Sequence, residues 1–95
     1  IVYTSGQLAM IIKTTKNFDK QYTMLASKTK LSFKNRLRLF MLNPFDITLR
    51  NHALKGKYLG YRSIDVTGDV RLLYKQQNGD IYIFAFIGTH SQLYK

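Results

Sequence analysis

Cysteine is absent from this chain. Disulfide staples and thiolate metal sites are therefore excluded, which fits a reducing compartment. No apolar run approaches the ~20 residues that a membrane span needs. Residues 1–10 lack the basic start and long apolar stretch of a secretion signal, so the expected location is cytoplasmic, away from any membrane. Acidic residues are scarce: five Asp and Glu stand against fifteen Lys and Arg, a net charge of +10. That excess points to a polyanionic partner, either nucleic acid or an acidic protein segment; the plainer alternative is a basic, soluble surface. The cations are not gathered opposite a wide apolar stripe, which argues against a lipid surface. Only two histidines are present, His52 and His90. With scattered aspartates they form no metal-ligand spacing, and there is no Gly-rich phosphate loop or nucleophile elbow. No metal or other cofactor is expected.

Ninety-five residues, 45% of them hydrophobic, suffice for one small domain with a single core. Residues 1–9 carry no strong pattern and read as an N-terminal extension, native or not, with Met10 a candidate start. Residues 10–95 read as the domain. Met10-Ile11-Ile12-Lys13 is a short apolar run suited to a first strand. From Lys16 to Ser27, Phe18, Tyr22 and Leu25 fall at i, i+4 and i+7, one face of a helix that Thr15 or Asn17 can cap. A second helix is predicted from Leu31 to Leu42, burying Phe33, Leu37, Phe40 and Met41. The short link Lys28-Thr29-Lys30 makes the pair a helical hairpin, and Asn43-Pro44 stops it. Phe45 to Leu54 is a long irregular connection that delivers His52. Tyr58–Val66 and Asp69–Lys75 read as a β-hairpin closed at Thr67-Gly68, and Asn78-Gly79 signals a second turn before the strand Ile81–Ile87. The expectation is an α+β fold of order β-α-α-β-β-β: a helical hairpin on one face of a mainly antiparallel four-stranded sheet.

Two-residue turns would pair Ile64 with Arg71 and Arg62 with Leu73. Strand alternation then puts Arg62, Asp69, Arg71 and Phe84 on one side, with Gly88 and, beyond the strand end, His90. The other side receives Tyr61, Val70, Leu72, Tyr74, Ile83, Ala85 and Ile87, and Asp65 falls there too unless a bulge at the turn swaps it. Metal-free RNA cleavage needs a base for the 2′-OH, an acid for the 5′-oxygen and fixed positive charge for the phosphorane. His90 and His52 are the residues suited to proton transfer near neutral pH; the competing reading makes His90 a surface histidine bonding its own loop and His52 a solvated loop residue. Arg62 and Arg71 present planar donor forks to phosphate, or else pair across strands with Asp65 or Asp69. Lys55 and Lys57 extend a phosphate track or are simply solvated. Tyr94 either stacks a base or packs the tail.

Three segments together resemble a known family. His52-Ala-Leu-Lys-Gly-Lys-Tyr-Leu-Gly-Tyr-Arg62-Ser, Val-Thr-Gly-Asp69-Val-Arg71-Leu-Leu-Tyr-Lys75 and Ile87-Gly-Thr-His90-Ser-Gln-Leu-Tyr94 are similar to the RelE/ParE toxin superfamily, in particular its YafQ-type branch, over roughly residues 10 to 95. The resemblance implies the toxin of a type II toxin–antitoxin pair, an endoribonuclease that cuts mRNA in the ribosomal A site. Its partners would then be a cognate antitoxin, mRNA and the ribosome. It matches His52, Asp69 and His90 to acid, base and substrate-orienting positions, Tyr94 to a functional aromatic, and Arg71 to an arginine used against the scissile phosphate. Asp65 and Val70 depart from the YafQ-type pattern, which carries histidine and tryptophan there, so Asp65 is kept as a secondary candidate. Two other readings stay open: a non-enzymatic inhibitor of DNA gyrase, as in ParE-type relatives, and an RNA-binding relative with weak or no catalysis.

Overall fold

The computed structural model describes residues 10–95 and the backbone of residues 3 and 4; most of the expected N-terminal extension, residues 1–9, lies outside the described residues. The elements run β1 (Tyr3–Thr4), β2 (Ile11–Thr14), α1 (Lys16–Thr23), α2 (Ser27–Leu42), β3 (His52–Ala53), β4 (Arg62–Asp65), β5 (Val70–Asn78), β6 (Ile81–Thr89) and α3 (His90–Leu93). They form an α+β fold on one sheet of order β1-β2-β6-β5-β4-β3. Four strands make its body, as the sequence implies, and the two-residue β1 and β3 extend it at either edge. β2 pairs with β6 in parallel; the other pairings are antiparallel.

Thr15 caps α1, its hydroxyl accepting from Phe18 N at 3.0 Å and donating to Ala85 O at 2.7 Å. That second bond ties the helix start to the central strand. α1 is shorter and α2 longer than the periodicity predicts. Lys28-Thr29-Lys30 is already helical, and the link is Met24–Ala26. Phe33, Leu37 and Phe40 are buried as expected. Phe40 meets Tyr74, Tyr82 and Phe84 edge-on, with ring centroids 4.9–5.5 Å apart, and Phe18 joins Phe33 and Phe84 beside it. This aromatic cluster holds both helices to one face of the sheet.

The hairpin register differs from the two-residue turn. Asp65 pairs with Arg71, Ile64 with Leu72, Ser63 with Leu73 and Arg62 with Tyr74. The Thr67 hydroxyl accepts from Asp69 N and Val70 N, and Val66 N donates to Val70 O. The connection is thus the four residues Val66–Asp69. A one-residue change of register moves every side chain of a strand to the other face. Asp65 consequently stands on the face away from α1 and α2, and Arg62 on the helix side. A bulge between Leu73 and Tyr74, opposite Ala85, swaps residues on β6 as well. Phe84, expected beside the arginines, is fully buried in the helix-side core. Tyr61, expected in that core, packs on the opposite face with Tyr58 and Phe86. The second turn closes one residue later than Asn78-Gly79 predicts, since Asn78 pairs with Ile81.

Candidate functional site

The face away from α1 and α2 carries its own small cluster. Tyr58, Leu73 and Leu93 are buried there, with Leu54, Tyr61 and Phe86 against them. α3 is fastened onto it because Leu93 O accepts from Tyr58 Oη at 2.5 Å and from Lys57 Nζ at 3.2 Å. Thr89 starts α3 with a reciprocal cap: its hydroxyl accepts from Gln92 N, and Gln92 Oε1 accepts from Thr89 N. Gly88 leaves room for that cap, since a Cβ there would come within 3.0 Å of Gln92 Oε1. These contacts set His90 at the first position of α3, exposed to solvent, its ring stacked on Tyr94 at 4.5 Å and 20°. Its ring nitrogens make no hydrogen bond among the described residues. Partial burial, then the neighbouring Tyr58, hold the Tyr94 phenol above its ordinary value, so it remains a neutral hydroxyl at physiological pH.

His52 lies on the same face at the far edge, paired with Ser63 through β3. Its Nδ1 sits 2.9 Å from Arg50 O. A carbonyl only accepts, so Nδ1 is the donor in this contact, which in the neutral ring makes Nε2 the bare nitrogen. Arg50 supplies that carbonyl from a left-handed conformation, φ 50° and ψ 45°.

Between the histidines stands the Asp65–Arg71 pair. Arg71 Nε is 3.0 Å from Asp65 Oδ1, and Arg50 Nε approaches Oδ2 at 3.6 Å. Arg71 also donates from Nη1 to Thr67 O and Val70 O and from Nη2 to Gly68 O. The pair thereby staples the Val66–Asp69 loop, which presents the exposed Asp69. Arg71 pairs with Gly88 on β6 and with Asp65 on β4. His90 and His52 therefore occupy opposite banks of the ion pair, three strand spacings or about 14 Å apart across the sheet.

Arg62 is not among these groups. It lies on the helix side, its Nε donating to Asn51 Oδ1 at 2.8 Å and its guanidinium over the Phe45 ring at 5.2 Å. Asn51 in turn donates to Pro44 O and Tyr74 Oη, at 2.8 and 2.6 Å. Arg62 thus bolts the connection that carries His52 onto the core. Lys57 borders the site at Leu93, and Lys55 is exposed just before the 3-10 turn Gly56–Tyr58. Sequence reasoning passes over Arg50 and Asn51. Their significance comes from partners up to 23 positions away, which no local spacing reveals. Among the described residues no group of three His, Cys, Asp or Glu could hold a metal, and no helix is long and apolar enough to cross a membrane.

Residues 10–95 match the model of the family described as the bacterial toxin of type II toxin–antitoxin systems, YafQ. The chain belongs to the YafQ toxin family. Among solved structures, YafQ from E. coli strain BL21(DE3) is 23% identical with a TM-score of 0.76, over 90% of this chain and 99% of that one. A crystal structure of the E. coli DinJ–YafQ toxin–antitoxin complex matches at 23% identity and a TM-score of 0.75, over 93% and 100%. A metal-bound toxin from Helicobacter pylori is 28% identical, with a TM-score of 0.67 over 86% and 96%. No curated protein matches. The YafQ fold common to these structures is that described above, and the residues that carry the sequence resemblance, His52, Asp69, Arg71, His90 and Tyr94, belong to the face bearing the small cluster and the loop at its end.

Proposed function

We propose that this YafQ-family toxin is a metal-independent, ribosome-dependent endoribonuclease that cuts mRNA by 2′-OH attack, leaving a 2′,3′-cyclic phosphate and a 5′-hydroxyl. The observation that carries the reading is His52: its Nδ1 is held as a donor by Arg50 O, leaving Nε2 open as a base on the sheet face that also bears Arg71 and His90. Nε2 takes the 2′-OH proton. His90, with both ring nitrogens free, returns a proton to the leaving 5′-oxygen once the RNA draws it and His52 inward from opposite banks onto one phosphodiester, and the stacked Tyr94 orients its imidazole or receives a base. Asp69, beside Arg71 at the loop tip, orients the attacking group or one of the imidazoles. Lys55 and Lys57 track the RNA backbone. Arg62 supports the site through Asn51 and the loop that carries His52. Substrate and ribosome place the reaction in the cytoplasm. A cognate antitoxin with an acidic or helical segment would cover this basic face, as E. coli YafQ forms a toxin–antitoxin complex with DinJ.

The test is expression of the wild type beside His90→Ala, with mapping of mRNA ends. Growth arrest with translation-dependent cuts, both abolished in the variant, is the expected result. Arrest by the wild type with intact mRNA overturns the nuclease reading, and DNA damage in those cells would point to gyrase instead.

A further inference from the structure

Two arginines share Asp65, and they are held very differently. A guanidinium carries five N–H donors. On Arg71, those of Nε and Nη1 and one of Nη2 are engaged by Asp65 Oδ1 and by the carbonyls of Thr67, Val70 and Gly68. Its side chain is 24% exposed, and its removal from these acceptors would release the loop that it staples. Arg50 has one charged contact, at 3.6 Å to Asp65 Oδ2, and its side chain is 77% exposed. Its remaining side-chain donors make no hydrogen bond among the described residues, and its own carbonyl is the group that His52 Nδ1 approaches at 2.9 Å.

Arg50 is also the one non-glycine residue with positive φ among those described. The left-handed region costs an L-residue roughly 1–2 kcal/mol, and such strain gathers at functional sites. Glycine would adopt the same backbone, and present the same carbonyl to His52, without that cost. Tolerance of an arginine here is explained if its side chain has a use.

We propose that Arg50, two residues before the His52 base, is the guanidinium that binds the RNA phosphate at this face, poised by Asp65 Oδ2, while Arg71 serves as the fixed staple of the Val66–Asp69 loop. This rests on the ribonuclease reading. It deepens it by moving the mobile phosphate contact from Arg71 to a residue outside the hairpin. On binding, Arg50 exchanges a long, solvent-screened contact with Asp65 for a forked contact with a phosphodiester; Asp65 keeps Arg71, so the loop stays closed.

The experiment compares wild type, Arg50→Gly and Arg50→Lys in two assays. One is mRNA cleavage in a reconstituted translation reaction, and the other is salt-dependent binding of a single-stranded RNA oligonucleotide. Arg50→Gly keeps the left-handed backbone and the Arg50 carbonyl, and thermal melting should show an unchanged or slightly raised midpoint. Cleavage should nevertheless fall ~10- to 100-fold, the effect of losing one charge-assisted contact. The plot of log affinity against log salt should become shallower by about 0.7, the share of one phosphate on a single strand. Arg50→Lys should restore the salt slope and only part of the cleavage, having the charge but not the fork. If Arg50→Gly cleaves and binds like a cleaving wild type, with the same salt slope, the assignment to Arg50 is wrong and the nuclease reading stands. A wild type that never cuts mRNA removes the nuclease reading, and this assignment with it.

Discussion

Asn51 links three pieces of chain that lie far apart in sequence. It bonds Pro44 O, Tyr74 Oη and Arg62 Nε, holding the connection before His52 against the aromatic core. Tyr74 is the buried end of this network, and burial pushes its phenol above the ordinary tyrosine value of 10.0 despite the opposing effects of the Asn51 hydrogen bond and the Arg62 charge. A group whose folded value is raised binds its proton more tightly in the folded state. Its contribution is complete below about pH 10 and is lost as pH rises from there through the folded value. Urea unfolding between pH 8 and 11 should therefore show stability falling above pH 10. Tyr74→Phe should flatten that fall and lower stability near neutral pH by about 1 kcal/mol, one hydrogen bond; an unchanged alkaline slope would refute the assignment. The sequence offered Arg62 two futures, phosphate or a cross-strand aspartate. The structure gives it a third partner, the Asn51 side chain, because register sets which residues an arginine can reach.

At the scale of elements, α3 decides where His90 stands. Four residues are too few to persist by helix propensity alone. α3 exists because Thr89 caps it, Gly88 admits the cap, and Leu93 is anchored in the cluster with Tyr58 and Leu73. Thr89→Ala should cost about 0.5–2 kcal/mol, raise hydrogen exchange at the Gln92 amide and reduce mRNA cleavage through disorder of His90. Protection of that amide in the variant equal to wild type would show the cap to be dispensable. Both longer helices are legible in apolar spacing, since Phe18, Phe33, Leu37 and Phe40 mark their inner faces. α3 is not, because its cause is a cap and an anchor separated by a single turn rather than a repeated stripe.

For the whole molecule, the balance is an aromatic core on one side of the sheet and a basic, half-polar face on the other. Phe84 is fully buried where α1, α2 and β5 meet. Phe84→Ala should lose about 3–5 kcal/mol by lost burial and cavity formation, against the 5–15 kcal/mol that a domain usually has. Chemical denaturation should show a large drop in midpoint; a change under about 1 kcal/mol would mean that the core is not organised around this ring. The net charge acts over a different range. With a net +10, long-range attraction of a polyanion survives the loss of any one cation, whereas positioning of a phosphate would depend on individual guanidinium groups.

The sequence by itself determined the two longer helices, the α+β class, the strong net positive charge and the segments that carry the family pattern. Each of these depends on residue type, net charge or spacing within a few positions of the chain. Only the tertiary structure decided which side chains share a face. That choice hangs on the Val66–Asp69 connection closing over four residues instead of two, which the Thr67 hydroxyl, the Arg71 donors and the packing of Val66 and Val70 in the core settle together. Side chains on a strand alternate with a period of two, so this single step of register moved Asp65 beside Arg71 and sent Arg62 to the helix side.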